Sequence, residues 1–155
     1  MEKQEELVSL LNDLIKINND RITGYERAIG DSKDSDIDLK AMFKEMADQS
    51  TKYVAELTQE VGRLGGEAAT DTTLSGKVYR VWMDLKSAIS GKDRETILGS
   101  CEYGEDVAQR SYDAALESEA YMSTEIRQLI ANQKTNLKES HDLIRKYRDM
   151  HEKAL

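Results

Sequence analysis

Residues 3–29 read KQEELVSLLNDLIKINNDRITGYERAI, and their apolar members recur at steps of three and four. Leu7, Leu11, Leu14, Ile15, Ile22, Tyr25, Ala28 and Ile29 fall on one face of a helix, because 3.6 residues per turn stacks such positions on one side. The stripe predicts a helix from Lys3 to Ile29, ~40 Å long at the standard rise per residue. A helix of that length with a wide apolar face must bury it against other helices.

The same period continues downstream. Gly30 to Asp36 reads as a turn, with Gly30 at the residue after the helix and Ser35 or Asp36 as the next N-cap. A second helix is predicted over Ile37–Leu64 from Leu39, Met42, Phe43, Met46, Tyr53, Val54, Leu57, Val61 and Leu64, and Gly65-Gly66 stops it. A shorter helix over Leu74–Ile89 carries Val78, Val81, Trp82 and Leu85. Asp93 then suits the N-cap of a third long helix, Arg94–Leu116. Its inward side reads Ile97, Cys101, Gly104 or Glu105, Ala108, Tyr112 and Ala115. The last helix is predicted over Glu119–Glu152, with Met122, Ile126, Leu129, Ile130, Leu137, Ile144 and Tyr147 inside.

Composition agrees with an all-α chain. There is no proline to interrupt a helix. Charged residues make up 34% of the sequence, but their signs alternate, which suits solvated helix faces rather than disorder. The net charge of −8 repels phosphate backbones and anionic lipids, so neither nucleic acid nor a membrane surface is expected as a partner. A single cysteine excludes an internal disulfide. The charged start, Met1-Glu2-Lys3-Gln4-Glu5-Glu6, has no apolar run behind it, so no signal peptide is expected. These features predict one soluble, cytoplasmic domain spanning residues 1–155.

Connection lengths set the topology. The short turn after the first helix makes helices one and two antiparallel neighbours. Residues 65–93 hold a helix long enough, at ~24 Å, to return along the bundle. Helices two and three would then run parallel, giving a ferritin-like four-helix bundle whose one long crossover contains an extra helix. An up-down-up-down bundle with an added helix is the alternative.

Ferritin-like bundles that hold two metal ions aim a Glu from each of two helices, and a Glu-x-x-His from each of the others, at mid-height. Counting residues from the helix ends places Asn18, Gln49, Glu105 and Gln133 at that level here. Three of the four are amides. The residue three after Gln49 is Lys52, and the one three after Gln133 is Asn136. His141 is preceded at that spacing by Lys138, and His151 by Arg148. One carboxylate among amides cannot balance two divalent ions. The expected reading is a hydrogen-bonded polar core layer that fixes helix register, with no catalytic residue, metal or cofactor. The alternative is a metal-binding or oxidoreductase bundle with an atypical site of Glu26, Glu102, Glu105 and His141. Glu102 is otherwise expected to meet a basic neighbour, and His141 to be a satisfied core histidine.

Tyr25, Tyr53 and Tyr112 read as packing residues with bonded hydroxyls. Cys101 reads as a small hydrophobe. Trp82 either pins the crossover helix to the bundle or anchors a second subunit. The expected partners are further copies of the chain, as a homo-oligomer, or a protein of unknown identity.

Several segments in order carry a resemblance: Leu11-Asn12-Asp13-Leu14-Ile15, Gly24-Tyr25-x-x-Ala28, Glu56-Leu57 to Leu64-Gly65-Gly66, Trp82-x-x-Leu85-Lys86, Glu102-x-Gly104-Glu105-Asp106-x-Ala108 with Tyr112, and His141-Asp142-x-Ile144-Arg145. Across nearly the whole chain this resembles a bacterial family of ferritin-like four-helix-bundle proteins of unknown function, small stress-associated cytosolic proteins. The resemblance implies the fold and the missing di-iron ligands. It carries over no activity, substrate or catalytic residue.

Overall fold

The computed structural model describes residues 2–32, 34–71, 94–118 and 120–154, with side chains left undescribed at 2, 31 and 151–154. Four helices make up the described fold: α1 (Glu2–Asp31), α2 (Ile37–Arg63), α3 (Arg94–Glu117) and α4 (Thr124–Ala154). The predicted crossover helix over Leu74–Ile89, with Trp82, and the Asp93 cap lie outside the described residues.

Side-chain pairs define the directions. Arg21 meets Glu105 at 2.7 Å and Asn18 meets Tyr112 at 2.9 Å, so α1 and α3 are antiparallel. Tyr25 lies against Phe43, ring centroids 5.6 Å apart, and Asn18 against Ser50, so α1 and α2 are also antiparallel. It follows that α2 and α3 run parallel. The chain must therefore return the length of the bundle between them. Its first steps do so along the outer side of α1: Asn12 bonds the Glu67 carbonyl and the Ala69 amide, and Asn19 bonds the Asp71 carbonyl. At the far end Arg94, the first residue of α3, reaches Asp36 and Asp38 beside the start of α2. This is the ferritin-like arrangement, and it rules out the up-down-up-down alternative.

Two helix boundaries and one cap differ from the sequence reading, each for a local reason. First, α1 continues through Gly30 to Asp31. Ser32 holds that last turn, bonding the Ala28 carbonyl from both its amide and its hydroxyl. Second, Asp36 precedes α2 but makes no side-chain cap, since its carboxylate goes to Arg94 instead. Third, α4 starts at Thr124 rather than Glu119. Ser123 is the cap: its hydroxyl accepts the Ile126 amide and its carbonyl the Arg127 amide. The end of α2 follows the expected Gly-Gly stop. Gly65 takes φ 79°, its amide bonds the Gly62 carbonyl, and the Gly66 amide bonds the Val61 carbonyl. That pair of bonds is the Schellman arrangement, which needs a left-handed residue that glycine supplies without strain.

The core is two apolar clusters stacked along the bundle. One gathers Tyr25, Ala28, Leu39, Phe43, Ile97, Leu98, Cys101 and Ile144. The other gathers Leu7, Leu11, Leu14, Tyr53, Leu57, Tyr112, Ile130 and Leu137. Between them lie the buried polar residues Asn18, Arg21, Ser50, Glu105 and Ser140. Burying a large apolar side chain contributes ~1.5–3 kcal/mol, so the clusters supply the stability that the polar band draws on.

Candidate functional site: a buried ion pair and its polar chain

The centre of the polar band is Arg21. It and Glu105 are both fully buried. The guanidinium donates to one Glu105 oxygen, Oε1, from Nε at 2.9 Å and from Nη2 at 2.7 Å. Nη1 donates to the Ser50 hydroxyl, and both terminal nitrogens lie 3.3 Å from Gln49 Oε1. Tyr25 donates its hydroxyl to the same Glu105 oxygen, and the guanidinium carbon sits 5.4 Å from the Tyr25 ring centroid. Burial works against the charge on Arg21, but Glu105 offsets it, and the arginine's pKa stands above its ordinary value. Burial pushes the Tyr25 phenol well above its usual range, and the Glu105 charge pushes it further, so Tyr25 is a neutral donor.

A chain of hydrogen bonds runs from this centre toward the surface in one direction. Ser50 donates to Asn18 Oδ1 at 2.9 Å, Asn18 Nδ2 to the Tyr112 hydroxyl at 2.9 Å, and Tyr112 to Gln133 Oε1 at 2.6 Å. Gln133 Nε2 then donates to Glu56 at 3.1 Å. The direction is fixed at its ends. A guanidinium can only donate and a carboxylate can only accept. Asn18 is held from turning over by a second bond from Nδ2 to the Leu14 carbonyl, also 2.9 Å. Burial raises the Tyr112 phenol strongly, which keeps its donor proton in place. Ser140 joins from α4 by donating to Gln49 at 3.1 Å.

The four residues that counting placed at one level thus lie at two. Gln49 and Glu105 meet Arg21, while Asn18 and Gln133 are joined one step further down through Tyr112. The helix ends are not level with one another, so equal counts from them do not give equal heights. Gln49 is half-buried, and Ser50 rather than Gln49 takes the inner position on α2.

The residues of the atypical acidic site are not brought together. Glu26 is exposed. Glu102 pairs with Arg148 and lies 3.5 Å from Arg145. Glu105 is engaged by Arg21. His141, buried, faces Asp106 and Asp142 rather than Glu26. Among the described residues no three His, Cys, Asp or Glu side chains gather as metal ligands.

The outer contacts of α3 and α4 form a separate ladder. Glu102 takes Arg148, Asp106 takes His141, and Asp113 takes Lys134. It sets the register of that antiparallel pair. Cys101 is fully buried, and burial followed by the nearby Glu105 charge pushes its thiol well up, which leaves it an apolar packing group.

A di-metal centre does not fit this donor set. The buried carboxylate of Glu105 faces a side chain that already carries positive charge. The Glu105 carboxylate accepts three hydrogen bonds at a single oxygen. A guanidinium needs one negative partner where two divalent ions need several, and that is why amides and a serine suffice around it. Two surface grooves, one between α1 and α3 and one between α1 and residues 64–71, share no residue with the polar band.

Sequence reasoning missed Arg21, although its signal was readable. Leu7, Leu11, Leu14, Asn18, Arg21, Tyr25 and Ala28 follow one another at alternating steps of four and three. That is a core stripe with Arg21 inside it, which the general rarity of buried arginine had hidden.

Comparison with known proteins supports the fold. The chain superimposes on a Dps1 mutant of Mycobacterium smegmatis with a TM-score of 0.80, over 95% of this chain and 97% of that one, at 14% sequence identity. No curated protein matches the sequence. Residues 6–118 match the family model described as a domain of unknown function, DUF2383. The chain is therefore a member of the DUF2383 family, a family of unknown function, and its fold is the ferritin-like four-helix bundle.

Proposed function

We propose that this protein is a non-enzymatic ferritin-like bundle, one domain that serves as a structural or protein-interaction module and assembles with copies of itself in the cytoplasm. One observation carries the reading: the Arg21 guanidinium, paired with Glu105 and fully buried, stands at the bundle's centre. An always-protonated side chain there repels metal ions and offers no lone pair for ligation. The carboxylate that faces it, Glu105, is held by it. The hydrogen-bonded chain through Ser50, Asn18, Tyr112 and Gln133 then fixes the register of all four helices, since each helix contributes at least one member.

The test uses untagged protein incubated anaerobically with Fe(II), Mn(II) or Zn(II), desalted, and analysed for metal, with mass measured by light scattering. The expected result is well under one ion per chain and a mass above that of one chain. Stoichiometric metal that is lost in Glu105→Ala would overturn the metal-free reading, and a monomer at all concentrations would overturn self-assembly.

A further inference from the structure

The acceptors around Arg21 are placed for the separate nitrogens of a guanidinium, not around a point. Glu105 Oε1 faces Nε and Nη2, at 2.9 and 2.7 Å. The Ser50 hydroxyl faces Nη1, and Gln49 Oε1 lies 3.3 Å from each of Nη1 and Nη2. The Tyr25 ring centroid is 5.4 Å from the central carbon. Helices α1, α2 and α3 all contribute to this enclosure. A metal ion requires oxygens converging on one centre at roughly 2.0–2.6 Å. An ammonium gathers its three donors on one nitrogen, so it cannot span acceptors set against the separate nitrogens of a guanidinium.

We propose that the interior of the bundle is a receptor for a planar guanidinium cation, filled in the native chain by its own Arg21, and selective for that shape over metal ions and alkylammoniums. The proposal rests on the metal-free reading above and names what the centre accepts. The walls belong to α2, α3 and Tyr25, so they do not depend on the covalent link between the cation and α1. Arg21→Ala would remove the methylenes and the guanidinium while keeping Glu105, Gln49, Ser50 and Tyr25. Ethylguanidinium matches the removed atoms.

The experiment is thermal unfolding of full-length Arg21→Ala, followed by circular dichroism, with ethylguanidinium, n-propylammonium or Mn(II) added at matched ionic strength. Ethylguanidinium is expected to raise the midpoint saturably, by roughly 5 °C. It is expected to leave wild type unmoved, and also Arg21→Ala/Glu105→Gln, whose receptor has lost its anion. If Arg21→Ala is unfolded alone, the same additions are read as recovery of helical signal. An equal response to n-propylammonium, a larger one to Mn(II), or none to any of them would overturn the proposal. A second variant, Arg21→Lys, keeps the charge without the planar fork. It is expected to unfold well below wild type, and a wild-type midpoint would overturn shape selectivity. Metal found in wild type would sink the metal-free reading, whereas these outcomes concern only what the emptied centre accepts.

Discussion

Replacing Arg21 with methionine should be among the most damaging single changes available to this chain, and replacing Glu105 at the same time should repair most of the damage. Arg21→Met keeps an unbranched side chain of similar reach but removes the donors to Glu105, Ser50 and Gln49. Glu105 is then a fully buried carboxylate with Tyr25 as its remaining donor. Breaking a buried pair from one side costs about 3–5 kcal/mol. For a chain of this length that lowers Tm by about 10–15 °C. Glu105→Leu strands the guanidinium instead and should cost a similar amount. In the double variant neither charge is present. Ser50 still donates to Asn18, and Gln49 still accepts from Ser140. The remaining cost should be about 1–2 kcal/mol. The two singles should therefore sum to far more than the double, with a coupling energy of at least ~3 kcal/mol. Urea denaturation followed at 222 nm on all four proteins measures it. Additive single effects, or a loss below ~1 kcal/mol for Arg21→Met, would show that the pair is hydrated in solution and would refute a dry, charge-paired centre.

Three further predictions test other parts of the structure. Tyr112→Phe removes the link between Asn18 and Gln133 and leaves both with an unmet group, so it should cost about 1–3 kcal/mol in urea denaturation. Gly65→Ala and Gly66→Ala should each destabilise by roughly 1–2 kcal/mol for different reasons. Gly65 sits at φ 79°, whereas a Cβ on Gly66 would lie 2.8 Å from the Val8 side chain. Adding Val8→Ala should therefore rescue only Gly66→Ala in thermal melts. Burial raises the phenols of Tyr25, Tyr53 and Tyr112 above their usual value of 10. The unfolded state ionises first, so the stability these groups contribute is complete below about pH 10 and falls as pH rises toward their folded values, by up to ~1.4 kcal/mol per unit for each phenol. Absorbance at 295 nm should show these three ionising only as the helical signal is lost, and early ionisation of all tyrosines in folded protein would contradict it.

The sequence by itself determined the helices and most of their inward faces. Leu11, Leu14, Leu57, Ile97 and Leu137 were legible as core because helical period alone puts them on one side, and all five are fully or almost fully buried. Connection lengths made the ferritin-like order readable too, since a chain of fixed rise per residue must go somewhere. Caps were less legible where side chains had a choice of partner. Asp36 looks like a cap and is drawn to Arg94, and the fourth helix waits for Ser123.

The centre was decided by tertiary structure. Stripe position admits Arg21 to the interior, but burial of a guanidinium is tolerable only if a carboxylate meets it, and Glu105 is 84 residues away in sequence. Periodicity reports which way a side chain points on its own helix. Relative helix height, the quantity that sets Arg21 against Glu105 and Asn18 against Tyr112, depends on how the apolar clusters at either end pack, and no single helix contains that information.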